Sequence, residues 1–129
     1  MTGRRVVIIE DNEALGSLTQ FTLELEGYQV EWFASGREGL AAVQAQPPDL
    51  LLLDLAMPRF SGWDVLECLK DQIARRDFVV AIITASADPE IKEQARALGV
   101  ARVLVKPISA GELVQVVKEM IEEPCAKTL

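Results

Sequence analysis

The chain has 129 residues, of which 50% are apolar and 26% are charged, and its formal net charge at pH 7 is −7. This length and composition predict one folded domain and exclude a disordered chain. The acidic balance argues against nucleic acid and against an anionic membrane as partners. The sequence contains no histidine, which excludes catalysis and metal sites that need an imidazole of this chain.

Short apolar runs alternate with helical patterns five times along the chain. The predicted strands cover residues 4–9, 29–34, 50–53, 78–84 and 101–105. The longest apolar run, residues 78–83, is far shorter than the roughly 20 residues that span a bilayer. The N-terminal run is too short for the core of a signal peptide. We therefore expect no membrane segment and a cytoplasmic protein.

The first helix is predicted over residues 13–26, with one apolar stripe and with Gly27 as a left-handed cap. The stripe consists of Leu15, Leu18, Thr22 and Leu25. The three bulky aromatic residues Phe21, Trp32 and Trp63 are interpreted as core packing.

Each of the other four helices follows a residue that is suited to cap it. Ser61 precedes the third helix, and the run Asp88-Pro89-Glu90 combines a capping acid with proline at the first helical position. Two pairs match the capping box, in which a serine and a glutamate three residues later bond reciprocally: Ser35 with Glu38, and Ser109 with Glu112.

Strands made of continuous apolar residues are covered on both faces, and their alternation with helices gives right-handed crossovers in a parallel sheet. The predicted fold is therefore α/β, with a doubly wound parallel sheet of five strands and five helices on both faces. One domain is predicted over residues 1–123, followed by a short tail over residues 124–129. Such sheets bind ligands at the carboxyl ends of their strands.

Those strand ends carry the polar residues of interest. Glu10 and Asp11 follow the first strand, Asp54 ends the third, Thr84 ends the fourth, and Lys106 follows the fifth. Carboxylates that converge repel one another, and a hard divalent cation such as Mg²⁺ removes that repulsion. A lysine and a hydroxyl suit phosphoryl oxygens. The set therefore predicts a phosphoryl site with Asp54 as the nucleophile.

Four motifs at these strand ends resemble the signature of the response-regulator receiver domain of two-component signalling, the family of the chemotaxis regulators. They read Ile-Glu-Asp-Asn at residues 9–12, Leu-Asp-Leu-Ala-Met-Pro at 53–58, Ile-Thr-Ala at 83–85 and Val-Lys-Pro at 105–107. The resemblance covers nearly the whole chain, and it implies the flavodoxin-like strand order 2-1-3-4-5.

The resemblance also implies a role for each matching residue. Asp54 would accept a phosphoryl group from a phosphohistidine, on a histidine kinase or on a histidine phosphotransfer protein. Asp11 would bind Mg²⁺ directly and Glu10 through water, with Asp54 and the backbone carbonyl of Ala56 as further ligands. Thr84 would move toward the phosphoryl group, Lys106 would pair with it, and the bond from Lys106 to its proline would be cis.

The sequence departs from the family where many members carry Tyr or Phe three residues before the lysine, because Val103 stands there. We therefore expect a loop shift led by Thr84, which moves the helix over residues 89–98 and the strand after it. Ala56 and Ser86 are small where the family tunes hydrolysis of the acyl phosphate, so access for water is sterically open.

Three other functions and several simpler roles compete with this interpretation. A phosphatase of the haloacid dehalogenase type needs a second aspartate where Ala56 stands, and a nucleotide-binding module needs a glycine-rich loop after the first strand. A scaffold with the same fold would not need the complete set of site residues. Taken singly, Glu10 and Asp11 could cap the first helix, and Lys106 could be a solvated surface residue.

We therefore predict a phosphoacceptor switch that changes its affinity for a downstream protein or a fused output domain, and that is not an enzyme beyond its own phosphorylation and dephosphorylation. Direct contact with nucleic acid or membrane is not expected. The sequence leaves open the cognate kinase, the target, the oligomeric state, and whether the chain stands alone or belongs to a longer protein.

Overall fold

The structure is a computed structural model that describes residues 3–122, so the predicted tail over residues 124–129 lies outside the described residues. Strands and helices alternate as predicted, with boundaries that differ by one or two residues. The elements are β1 (Arg5–Ile9), α1 (Glu13–Leu25), β2 (Gln29–Phe33), α2 (Gly36–Ala45), β3 (Leu50–Asp54), α3 (Gly62–Ala74), β4 (Val79–Thr84), α4 (Pro89–Ala97), β5 (Arg102–Val105) and α5 (Ala110–Ile121).

The five strands form one parallel sheet in the order β2-β1-β3-β4-β5. This confirms the flavodoxin-like topology that the motifs imply. The register pairs Ile9 of β1 with Leu53 of β3, and Asp54 with Ile83 of β4. The carboxyl ends of the three central strands therefore lie side by side at one edge of the sheet.

Two apolar layers enclose the sheet. Buried side chains of α2, α3 and α4 pack on one face, and those of α1 and α5 pack on the other. Strand β3 is buried along its whole length, which is why it contains four consecutive leucines before its terminal aspartate. None of the helices within residues 3–122 is long and apolar enough to cross a membrane.

Helix α1 forms as predicted, but it packs on the sheet with a face other than its apolar stripe. Leu23 and Gly16 are its buried residues, whereas Leu18 is 59% exposed and Leu25 69% exposed. The reason is steric, because a Cβ atom at Gly16 would lie 2.2 Å from the indole of Trp32, so this face of α1 sits directly on that ring. Phe21 is 58% exposed, so its interpretation as core packing is wrong.

Serine caps begin three of the helices. Ser61 makes the complete capping box, but its partner is Asp64, whose carboxylate accepts the backbone N–H of Ser61. Ser35 and Ser109 accept the backbone N–H groups three residues on, and no return bond from a glutamate forms at either of these described sites. The two predicted capping boxes are therefore only half formed.

Candidate functional site

Three carboxylates converge at the carboxyl edge of the sheet. Glu10 immediately follows β1, Asp11 comes next, and Asp54 ends the neighbouring strand β3. One carboxylate oxygen from each of the three lies within 4.8 Å of the others. Glu10 and Asp54 are only 6% and 5% exposed, whereas Asp11 is exposed. The predicted acidic cluster therefore exists, with one member facing solvent and two enclosed by protein.

Lys106 is the cation of the site. Its Nζ lies 3.1 Å from Oε1 of Glu10 and 3.7 Å from Oδ1 of Asp54. Its backbone N–H donates to the carbonyl of Thr84 at 2.7 Å, and the peptide bond to Pro107 is cis, as the resemblance implies. The lysine is therefore held between two carboxylates, and it is not a solvated surface residue.

Thr84 ends β4 beside this cluster and is 4% exposed. It is one residue beyond Ile83, the register partner of Asp54. Its Oγ1 accepts the backbone N–H of Ser86 at 3.2 Å. The hydroxyl is therefore engaged with the β4–α4 loop, and its predicted movement toward a phosphoryl group stays a prediction.

The surroundings of Asp54 disfavour its negative charge. Burial, together with a hydrogen bond from the carboxyl to Glu10 and the charge of Glu10, raises the pKa of Asp54 from 3.8 to about 7. The ammonium of Lys106 and the backbone N–H of Ala56, which donates to Oδ1 at 3.3 Å, act in the opposite direction. The site thus places one ammonium among three carboxylates, and a bound cation would favour the ionised form of Asp54.

The donor set suits a hard divalent metal. It offers carboxylate oxygens, without thiolate or imidazole, which is the chemistry that Mg²⁺ and Ca²⁺ prefer. Asp11 is exposed and could keep water molecules on such an ion. The backbone of Ala56 lies two residues beyond Asp54, and its predicted role as a carbonyl ligand stays a prediction.

Asn12, and not Glu10 or Asp11, caps α1. Its Oδ1 accepts the backbone N–H of Leu15 at 3.0 Å, while its own N–H donates to Oε2 of Glu10 at 3.2 Å. Glu10 therefore uses one oxygen to hold the loop and the other to hold Lys106. The simpler role as helix caps is excluded for both acids.

A groove that the sequence did not predict lies beside the site. A cavity of about 190 Å³ runs between α1 and the β5–α5 loop, and its walls include Leu15, Leu18, Lys106 and Pro107. Three residues of the α1 stripe, Leu15, Leu18 and Thr22, line this groove. The helical periodicity of these apolar residues predicts an apolar face on α1, but periodicity alone does not show whether the sheet, a groove or another protein covers that face.

Comparison with protein families gives one match over most of the chain. A model of the family described as the response regulator receiver domain matches residues 6–118. These residues include every member of the carboxylate cluster, together with Thr84 and Lys106.

The curated relatives differ in how much of their own length the chain covers. The chain is 33% identical over 118 residues to the polar-differentiation response regulator DivK of Brucella ovis, covering 92% of this chain and 96% of the relative. It is 32% identical over 118 residues to the transcriptional regulatory protein PcoR of Escherichia coli, covering 92% of this chain but 51% of that protein. The chain thus spans about half the length of PcoR.

Solved structures agree in fold. The chain superposes on a receiver domain protein of Methanospirillum hungatei with a TM-score of 0.87 and 28% identity, covering 96% of this chain and 98% of that one. It superposes on the chemotaxis protein CheY4 of Vibrio cholerae with a TM-score of 0.84 and 27% identity, covering 91% and 98%.

Proposed function

The chain belongs to the response regulator receiver family, whose members are phosphoacceptors of two-component signalling, and we propose that Asp54 is the acceptor residue. The observation that carries this proposal is the position of Asp54. It ends a fully buried strand, lies within 4.8 Å of the other carboxylates, and has the Lys106 ammonium 3.7 Å from its Oδ1. No other aspartate of residues 3–122 combines burial with both kinds of neighbour.

As membership of the family implies, the phosphoryl group comes from a phosphorylated histidine, which this chain, having no histidine, does not itself contain. An oxygen of Asp54 forms the new O–P bond while the N–P bond of the partner breaks, and the departing imidazole nitrogen takes up a proton. Lys106 stabilises the charge on the transferring oxygens, and the Thr84 hydroxyl donates to one of them once the acyl phosphate has formed. The chain acts on no separate substrate.

Glu10, Asp11, Asp54 and the backbone carbonyl of Ala56 are the ligands that we propose for Mg²⁺. When bound, the ion neutralises the carboxylates and the equatorial phosphoryl oxygens. The carboxylate donor set and the raised pKa of Asp54 support this assignment. A phosphatase of the haloacid dehalogenase type is disfavoured, because Ala56 offers no acid two residues after the nucleophile.

The stripe of α1, with the exposed Phe21 added and the half-buried Thr22 left out, is a suitable docking surface for that donor. Leu15, Leu18, Phe21 and Leu25 are the large hydrophobic residues that α1 exposes, and the groove beside them reaches Lys106. An apolar surface next to an acceptor site fits an amphipathic helix that presents a phosphohistidine to Asp54. A histidine kinase or a histidine phosphotransfer protein is the donor that membership of the family implies.

Acetyl phosphate with Mg²⁺ tests the acceptor without a protein partner. We expect the wild type to gain one phosphoryl group by intact-mass spectrometry, and Asp54→Asn to gain none. Asp71→Asn is the matched control, because Asp71 is an exposed aspartate of α3 away from the site, and it should be labelled like the wild type. Equal labelling of Asp54→Asn would overturn the assignment.

A comparison of two donors tests the docking surface. A panel of purified, phosphorylated histidine phosphotransfer proteins is first screened for the fastest transfer to the wild type. With that donor, Leu18→Gln should slow transfer at least tenfold, whereas its labelling by acetyl phosphate should stay unchanged. Ser17→Gln alters an exposed neighbour outside the stripe and should leave both rates alone. If Leu18→Gln slows both donors equally, or neither, the stripe is not the docking surface.

A further inference from the structure

Three consecutive hydrogen bonds connect the Thr84 side chain to the first turn of α4. Oγ1 of Thr84 accepts from the N–H of Ser86 at 3.2 Å, and Oγ of Ser86 accepts from the N–H of Asp88 at 3.2 Å. Oδ1 of Asp88, the cap of α4, then accepts from the N–H of Glu90 at 2.9 Å. We call these three bonds the β4–α4 ladder. Each bond spans two residues, so displacement of Thr84 strains the whole loop.

The helix at the end of the ladder is weakly held. Ala95 is the buried residue of α4, and Ile91 and the helix-ending Leu98 are only partly buried. By contrast, α3 and α5 each bury five residues. Few apolar contacts must therefore rearrange when α4 shifts, which makes it the helix that a small local change can move.

A similar pair of bonds at α1 ends on a firmly packed helix. Glu10 accepts from the N–H of Asn12, which in turn caps α1. Leu23 of α1 is fully buried, and Gly16 lies directly against Trp32. Hydrogen bonds thus connect the site to both α1 and α4, but only α4 is packed loosely enough to shift when these bonds change.

We propose that Ser86 is a positioning residue, whose hydroxyl transmits the phosphorylation state of Asp54 to α4 through the β4–α4 ladder. The inference rests on the proposed function, because it needs a phosphoryl group on Asp54 that draws the Thr84 hydroxyl toward it. Movement of Thr84 alters its hydrogen bond with the N–H of Ser86. The resulting displacement of Ser86 alters the hydrogen bond that its Oγ accepts from the N–H of Asp88. Strand β5 offers no equivalent polar route at Val103, which is aliphatic and packs against the apolar core.

Beryllofluoride with Mg²⁺, which mimics the acyl phosphate, allows the ladder to be tested by amide chemical shifts. In the wild type we expect shifts at residues 84–86 and along α4. In Ser86→Ala the shifts near Thr84 should persist, whereas those of residues 90–97 should fall to less than half. Ser86→Thr keeps the hydroxyl and should restore them. Ser109→Ala removes the same kind of bond at α5 and should leave the α4 response intact.

Each outcome decides between the two proposals. If the wild type does not respond to beryllofluoride at all, the proposed acceptor function fails. If the wild type responds and Ser86→Ala shows undiminished α4 shifts, the acceptor function stands and the ladder is overturned. Asp88→Ala deletes the last bond and gives a second check, because loss of the α4 response there as well supports the ladder. An unchanged α4 response in Asp88→Ala counts against it.

Discussion

The Asp54 carboxyl group is held where its charge is poorly stabilised in the absence of a metal. It is 5% exposed, and Glu10, itself nearly buried, is its closest acidic neighbour in the site. The Lys106 ammonium is nearer to Glu10, at 3.1 Å, than to Asp54, at 3.7 Å. The Lys106 ammonium therefore compensates the charge of Glu10 more closely than that of Asp54.

The raised pKa of Asp54 predicts a pH dependence of stability in the metal-free protein. The folded state holds this proton up to about pH 7, whereas the unfolded chain releases it near pH 3.8. Stability due to Asp54 is therefore lost as the pH rises through that window. The side chain at position 54 of the Asp54→Asn variant cannot ionise, so the free energy of unfolding of this variant should rise relative to that of the wild type as the pH increases. Between pH 4.5 and pH 8 we expect the difference to grow by at least ~1.4 kcal/mol, the free energy that corresponds to one pKa unit.

Urea denaturation in the presence of a chelator measures this difference at each pH. Asp71→Asn is the control, because the same substitution at an exposed site should give a difference from the wild type that hardly varies with pH. A stability difference between Asp54→Asn and the wild type that is constant, or that shrinks at high pH, would contradict the electrostatic account of Asp54.

At the scale of elements, α3 begins directly against the backbone of the acceptor. The N–H of Gly62 donates to the carbonyl of Leu55 at 3.0 Å, and a Cβ atom at Gly62 would lie 2.5 Å from the carbonyl oxygen of Asp54. Only glycine permits this approach. The start of α3 thus fixes the backbone that carries Asp54.

Gly62→Ala should therefore lower the free energy of unfolding by ~1–3 kcal/mol through overpacking, and it should slow labelling by acetyl phosphate, because Asp54 must shift. Gly111→Ala is the matched substitution in α5, where a Cβ atom meets nothing within 4 Å. It should raise the free energy of unfolding by ~0.5–1 kcal/mol. Equal effects of the two substitutions in urea denaturation would be inconsistent with the close contact.

Helix α1 illustrates what the sequence could not decide. Its apolar positions recur with helical period, so the helix itself was predictable. The side that packs on the sheet is instead the one with Gly16 and Leu23, because Trp32 fills the space below the glycine. That contact joins residues sixteen apart in the chain, and no local pattern announces it. A stripe of leucines predicts an apolar helix face, but that face can bind another protein instead of packing on the sheet.

The site was more predictable than α1, since topology alone brings strand ends together. Glu10, Asp54 and Lys106 follow or end strands that the sheet order places near one another, so their convergence followed from the alternation of strands and helices. The hydrogen-bond partners of the individual site residues could not be predicted from the strand order. The bond from the N–H of Ser86 to Thr84 depends on loop geometry that residue types do not encode.

Across the whole molecule, the surface proposed for docking the donor and the helix proposed to respond to phosphorylation lie on opposite faces of the sheet. The buried residue Leu23 of α1 belongs to one apolar layer, and Ala95 of α4 belongs to the other. The acceptor site lies between the two layers, at the carboxyl edge. A donor on α1 would therefore leave α4 uncovered, so phosphorylation can change the α4 face while the donor is still bound.

Metal binding at that edge should stabilise the entire domain, because an ion that binds only the folded chain adds RT ln(1 + [L]/Kd) to its stability. At about 100 times Kd, Mg²⁺ should raise the free energy of unfolding by ~2.7 kcal/mol near pH 8. The gain should be smaller near pH 5, where protons compete for Asp54, whose pKa is about 7. Asp11→Ala should lose most of the gain at the same Mg²⁺ concentration, whereas Asp71→Asn should keep it. A full gain in Asp11→Ala would remove Asp11 from the ligand set.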